Sequence, residues 1–159
     1  MAELRRALSD AGFQGVETYL QSGNVVLDSA APPAELEAAL ESLIAERFSM
    51  DVPVIVRTEK ELRAVVEHNP LAAAAEDPKR YQVTFLKREL DTERLRQLKT
   101  LAIPSEQLVA RGREIYAWHP AGVARSRLWA GLAADNLGVK ATARNWTTVT
   151  RLDAMAQDE

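Results

Sequence analysis

Apolar residues recur along the chain with two different periods, and each period names an element. Leu4, Ala7, Leu8 and Ala11 fall at the spacing of one helical face, and Gly12 behind them supplies a left-handed stop. Val16 to Gln21 and Val25 to Asp28 read as antiparallel strands joined by Ser22-Gly23-Asn24, residue types that suit the positive φ of a tight hairpin. Pro33 fits a first helical position, and Leu36, Leu40, Leu43, Ile44 and Phe48 trace a continuous stripe behind it. Val52, Val54 and Val56 alternate as in a strand, and Leu62, Val65 and Val66 mark a helix over Thr58 to His68. Pro70 and Pro78 bracket an alanine-rich connector.

From Arg80 the same order returns. Tyr81, Val83 and Phe85 alternate in a strand, Asp91 or Thr92 caps a helix carrying Leu95, Leu98 and Leu101, and Gln107 to Ala110 and Glu114 to Trp118 flank the turn Arg111-Gly112-Arg113. One long helix is expected over Val123 to Leu137, with Leu128, Leu132 and Leu137 inward and Gly138 as its stop. An extended piece over Val139 to Ala143 and a helix over Asn145 to Ala156 close the chain. Val52-x-Val54-x-Val56-Arg57 is echoed by Val139-x-Ala141-x-Ala143-Arg144, and Gly23 and Gly112 punctuate corresponding hairpins. The expectation is an α+β fold made by tandem duplication of ferredoxin-like split βαβ units with helices packed on antiparallel or mixed sheets. The division falls at residues 1–77 and 78–159, the second ending in a C-terminal helix.

The repeat is unequal at its front: the second unit opens on a strand, the first directly on its helix. The first strand of the first unit is therefore expected to be missing, because Met1 is not the natural start, because another chain fills the gap, or because the strand is lost. Each neighbouring backbone group buried without a partner would cost about 1–3 kcal/mol.

Composition narrows the classes. Of 159 residues, 47% are hydrophobic, 27% charged and 6% aromatic, which excludes a disordered or collagen-like chain. No apolar run approaches the roughly 20 residues of a bilayer span, so no membrane partner is expected. With no cysteine there is no disulfide, thiolate zinc site or Cys nucleophile. No basic-then-apolar leader opens the chain, so the expected location is the cytoplasm. Charge is unevenly spread: residues 1–77 carry 6 basic against 14 acidic residues, and residues 78–159 carry 14 against 9. Such asymmetry suits either an anionic partner or an acidic half docked on a basic one.

With these elements in place, the chain resembles the bacterial domain-of-unknown-function family 1697 (DUF1697). The likeness rests on His119-Pro120-x-Gly122-x-x-Arg125-Ser126-x-Leu128, on Leu137-Gly138, and on Ala141-Thr142-Ala143-Arg144-Asn145-Trp146-x-Thr148-Val149-x-x-Leu152. Tyr19-x-Gln21-Ser22-Gly23-Asn24-Val25-Val26 matches that family's hairpin, so the resemblance runs through essentially the whole chain. It implies a duplicated α+β fold with no established activity to carry over. Members open with a strand running into a glycine-rich Arg-Gly-Ile-Asn-Val-Gly-Gly stretch, from which this sequence departs.

The sharpest candidate site is Arg144-Asn145-Trp146-Thr147-Thr148, at an expected strand-to-helix junction. Asn145 is a good N-cap, the free N–H groups beyond it suit an anion, and Arg144 adds a charged donor. Arg125 and Ser126 begin another helix and face the same anion in this reading. Such a terminus and one charged hydrogen bond give about 2–5 kcal/mol together, so a ligand needs a second anchor such as a ring against Trp146. In the structural alternative Asn145 only caps, Trp146 packs and Arg144 pairs with a carboxylate. Ser22, Gly23, Asn24 and His119 are secondary candidates, the first three equally explained by the turn and His119 lacking a partner at recognisable spacing. His68 reads as a helix-end residue whose positive charge suits the dipole. Two separated histidines make no metal site, and no cofactor is expected. Tyr116 and Trp118 share a strand face as in an RNA-recognition motif, but Arg113 and Glu114 depart from that pattern and argue against nucleic acid. The leading expectation is a binding protein for a small anionic, nucleotide-like or phosphorylated ligand. The alternatives are an enzyme acting on a phosphorylated substrate in a longer form of the chain, and an assembly module whose unpaired strand edges accept a second copy.

Overall fold

A computed structural model describes residues 2–19 and 23–157. The elements run α1 (Ala2–Asp10), β1 (Gln14–Tyr19), β2 (Asn24–Asp28), α2 (Pro33–Phe48), α3 (Glu59–His68), β3 (Tyr81–Leu86), α4 (Thr92–Leu101), β4 (Gln107–Arg111), β5 (Glu114–Trp118), α5 (Arg127–Gly131), α6 (Ala134–Leu137), β6 (Ala141–Asn145) and α7 (Trp146–Gln157). The chain is thus α+β with antiparallel sheets. Among the described residues no helix is long and apolar enough to cross a membrane.

Two compact units emerge. One combines the residues up to Arg63 with those from Arg151 onward, and the other spans Ala64–Thr150. The division expected at residues 77 and 78 differs because the second half of α3 packs with the later residues: Val65 is buried, and its carbonyl accepts a hydrogen bond from the Tyr116 hydroxyl at 3.0 Å. Arg63, two residues earlier, instead meets Asp153 of α7 at 3.7 Å and also bonds Gln157.

In the first unit β1 and β2 form a two-stranded antiparallel sheet. Its register shifts between Gln14 and Glu17, where Gly15 takes φ +62°. This is the geometry of a bulge with a left-handed residue. Leu8, Val16, Leu36 and Leu40 form the core, with Val25, Leu27, Val54 and Val56 packed against it. The strand expected over Val52 to Val56 is not formed. Val54 and Val56 do pack inward while Val52 is exposed, but two of its backbone N–H groups donate to side chains rather than to a ladder: Val54 to Glu41 Oε2 at 3.3 Å and Val56 to Glu37 Oε2 at 2.8 Å. Helix α3 then starts on a reciprocal cap. Thr58 Oγ1 accepts from the Glu61 N–H at 3.1 Å and Glu61 Oε1 from the Thr58 N–H at 2.9 Å.

The second unit carries a four-stranded sheet in the order β4-β5-β3-β6. Strand β3 is buried at all six positions, pairing through Thr84 with Ile115 on one side and Ala143 on the other. Leu86, Ile115, Ala117 and Ala141 on one face join Leu98, Leu128, Leu132 and Leu137 from the helices in a single core. Tyr81 lies on the other face, its ring 4.8 Å from Trp146.

The long helix expected over Val123 to Leu137 is two short ones. At 100° per residue Leu128 and Leu132 share a face, but Leu137 would point about 140° away. A break between Leu132 and Ala134, with Ala133 extended, lets all three reach the core, and burial of each contributes about 1.5–3 kcal/mol. Gly131 sits where α5 crosses α4. A Cβ there would stand 2.6 Å from Leu101 Cδ1 and 3.2 Å from Leu98 Cδ2. Gly131→Ala, which favours an isolated helix, is therefore expected to destabilise this one by about 1–3 kcal/mol. The urea midpoint measures this; an unchanged or raised midpoint contradicts the close approach.

Candidate functional site

The β6–α7 junction forms where expected, and its polar groups turn inward on the protein itself. Asn145 is the N-cap, its Oδ1 accepting from the Thr148 N–H at 3.0 Å. The Trp146 N–H donates to the Pro78 carbonyl at 3.1 Å, and its ring packs on Tyr81 and, 6.5 Å away, on Tyr116. Arg144 bends back on its own strand, donating to Thr142 Oγ1 and to the Ala143 carbonyl, and burial pulls its guanidinium below the usual arginine range. Arg125 is exposed. At the hairpin, Asn24 is buried and donates to the Tyr19 carbonyl at 2.9 Å, Gly23 takes φ +80°, and Ser22 lies outside the described residues.

Tyr116 and Trp118 are both buried, so they present no open platform for bases. Tyr116 also meets the His68 ring edge to face, with centroids 5.7 Å apart. Burial pushes the Tyr81 phenol up to about 12 despite a bond to the backbone at Leu71, and burial, then the Glu114 charge, raises Tyr116 further. His68 does end α3, but partial burial and then the nearby Arg111 charge lower its pKa, which opposes the positive charge expected there.

The structure joins two candidates, His119 and Ser126, through a residue the sequence did not single out. Glu106 Oε2 lies 2.6 Å from His119 Nδ1 and accepts the Ser126 hydroxyl at 2.6 Å, while Oε1 accepts the Ile103 N–H at 3.2 Å. Ser126 Oγ in turn caps α5, accepting the Trp129 N–H at 3.0 Å. The signal for Glu106 was the hairpin itself: Gln107 pairs with Trp118, so the next residues outward, Glu106 and His119, are cross-strand neighbours. Although three residue types of a hydrolytic triad meet here, their order is wrong for relay. The Ser126 hydroxyl donates to the carboxylate, Ser126 Oγ and Glu106 Oε2 both lie against Nδ1 rather than Nε2, and His119 is fully buried. The cluster binds the end of β5, the start of β4 and the cap of α5 to one carboxylate.

Two buried side-chain atoms have no hydrogen-bond partner among the described residues, His119 Nε2 and Thr84 Oγ1. Strand β6, α5 and α6 flank an open cleft of about 170 Å³ lined by Thr84, Trp129, Ala130, Leu132, Ala133, Ala134, Ala141, Thr142 and Ala143. Thr84 is 1% exposed, and its Oγ1 has no hydrogen-bond partner among the described residues.

Fold and site together describe a two-unit α+β protein whose candidate polar residues bond one another or the backbone. The family model for Protein of unknown function (DUF1697) matches residues 1–116, and the chain belongs to that family. The hairpin motif falls inside the matched stretch, and the motifs from His119 onward lie beyond it. Among curated proteins none matches. The solved structure of conserved bacterial protein SP0830 from Streptococcus pneumoniae is similar at a TM-score of 0.73 and 23% identity, covering 98% of this chain and 88% of that one, a likeness of fold.

Burial raises the Glu106 pKa, but hydrogen bonds from Ser126, His119 and the Ile103 N–H outweigh it and leave the carboxyl below its ordinary value. A carboxyl lowered on folding stabilises the fold above the unfolded glutamate range and loses that effect as the pH falls toward the depressed value. Glu106→Gln is expected to cost about 1–3 kcal/mol at neutral pH, with the gap to wild type closing below about pH 4. Urea midpoints across pH check this; a gap that stays constant into acid contradicts it.

Proposed function

We propose that this protein binds a small ligand in the cavity between β6 and the α5–α6 pair, and that it works by binding, without a catalytic step. The observation that carries the proposal is the cleft itself, walled mainly by apolar side chains, with the unpartnered Thr84 hydroxyl buried in its wall. A polar group left in that state costs about 1–3 kcal/mol. Clefts lined mainly by apolar side chains with few polar groups are the usual form of a small-molecule site.

An anionic ligand held by Arg144, Asn145, Trp146 and Thr148, with Arg125 and Ser126, would have to break bonds already made. The Thr148 and Trp146 N–H groups and the Arg144 guanidinium all donate within the protein, and Ser126 serves Glu106. The cavity asks for no such rupture and lies against the same strand. The repeat reading of the fold remains part of the proposal. It is supported by the second unit's order of strand, helix, hairpin, helices and strand, and by the inward Val54 and Val56 of the unpaired Val52 to Val56 segment.

A thermal-shift screen of neutral fragments, nucleotides and sugar phosphates tests the site on wild type and on Ala143→Ile, which fills the cavity. Neutral fragments are expected to stabilise wild type, by about 2.7 kcal/mol at a hundredfold excess over Kd, and to leave Ala143→Ile unmoved. Stabilisation confined to phosphorylated compounds, or equal in the filled variant, overturns the assignment.

A further inference from the structure

We infer that the first unit accepts an added polypeptide strand between β2 and the Val52 to Val56 segment, one with apolar residues at alternate positions and basic residues at its ends. The inference rests on the likeness of the two units and is independent of the cleft beside Thr84.

In the second unit β5 and β6 do not pair with each other, because β3 runs between them and pairs with both. The first unit repeats the neighbours of such a strand: a hairpin, β1 and β2, and an extended valine segment that follows a helix. Among the described residues no strand pairs with the outer edge of β2 or with that segment. Burial differs accordingly. β3 is buried throughout and β5 at all but its first position, whereas Val25, Val26 and Leu27 of β2 and Val54, Ile55 and Val56 are only half-buried. A two-stranded sheet is marginal by itself, and a third strand laid here would take that apolar surface out of water.

The backbone of the valine segment shows which of its edges is open. N–H groups point alternately to the two sides of an extended chain, so those of Val54 and Val56 share one edge and that of Ile55 lies on the other. Glu41 and Glu37 take the first edge. The Ile55 N–H has no partner among the described residues. One edge closed by side chains and one left open suits an outermost strand, which pairs on a single side as β6 does with β3.

Charge selects the ends of the added strand. Residues 1–77 carry 14 acidic against 6 basic residues, Asp28 ends β2, and Glu37 and Glu41 stand beside the segment. Basic ends complement that surroundings, and acidic ends are repelled by it. The chain's own β3 has this chemistry: Tyr81, Val83 and Phe85 alternate, and Lys79-Arg80 and Lys87-Arg88 flank the strand. Addition of a strand to a sheet edge is a recurring mode of peptide recognition, in which backbone bonds give affinity and alternate side chains give specificity.

The probe is a synthetic peptide of residues 79–88, titrated into the isotope-labelled full chain while amide spectra are recorded. Saturable shifts are expected at Val25, Val26, Leu27, Val54 and Ile55. The same peptide carrying Val83→Pro and Thr84→Pro, which removes one donor from each edge, is expected to bind at least about tenfold more weakly. In the protein, Ile55→Pro is expected to weaken the unmodified peptide similarly and to leave the urea midpoint unchanged, since the lost N–H had no partner. A peptide whose lysines and arginines are replaced by glutamate is expected not to bind at low salt. No shift at millimolar peptide, or equal binding of the proline peptide, overturns the strand position. Equal binding of the glutamate peptide overturns the charge requirement. If the protein alone sediments as a dimer that the peptide separates, a second copy holds this edge and the added strand is overturned.

Discussion

Strand β3 has solvent on neither face and a paired strand on each edge, and that double enclosure governs the second unit. Every polar atom on such a strand needs a partner inside the protein, since water cannot supply one. The backbone finds its partners in β5 and β6. Tyr81 sends its hydroxyl to Asn69 at 2.8 Å, and Gln82 donates to the Lys79 carbonyl at 3.3 Å. Thr84 alone among these side chains is left over among the described residues, and it lies where α5 and α6 leave a cleft against β6. The orphaned hydroxyl and the gap in the packing are two views of the same break at Ala133: the helical path that brings Leu132 and Leu137 to the core leaves alanines, rather than larger side chains, over β6.

The acidic residues of this chain act repeatedly as internal acceptors. Glu106 gathers a serine, an imidazole and a backbone N–H onto one carboxylate, and Glu37 and Glu41, one helical turn apart on α2, take the N–H groups of an extended segment that has no ladder. Each such bond has a charged acceptor and is about twice as strong as a neutral one. In both places a side chain completes what secondary structure leaves open, which is why the valine segment stays extended without becoming a strand.

Much of the architecture was legible from periodicity. The stripe of α2, the alternation of β3, the hairpin around Gly112 and the caps Asn145 and Asp91 follow from local spacing and local chemistry. What escaped was decided by distant parts of the chain. Val52 to Val56 has strand alternation, but alternation says only which way side chains point and nothing about whether a ladder partner arrives. The 123–137 helix looked continuous because Leu128, Leu132 and Leu137 were counted as one stripe, although the last falls off it by more than a third of a turn. The cavity was invisible because its wall is mostly alanine, a residue whose pattern carries no sign of an empty neighbour.

The pairing of Glu106 with His119 fixes the length of the connection between them. Both residues lie just outside the paired strands, so a single residue added to or removed from the turn at Gly112 would slide β4 past β5 by one place and rotate the carboxylate to the opposite side of the sheet. The imidazole and the serine would then lose their common acceptor together. Lengthening this loop, ordinarily among the most forgiving changes a surface can undergo, is here coupled to the innermost polar contact of the fold, so insertions are better tolerated in the connector between Pro70 and Pro78 than at the tip of this hairpin.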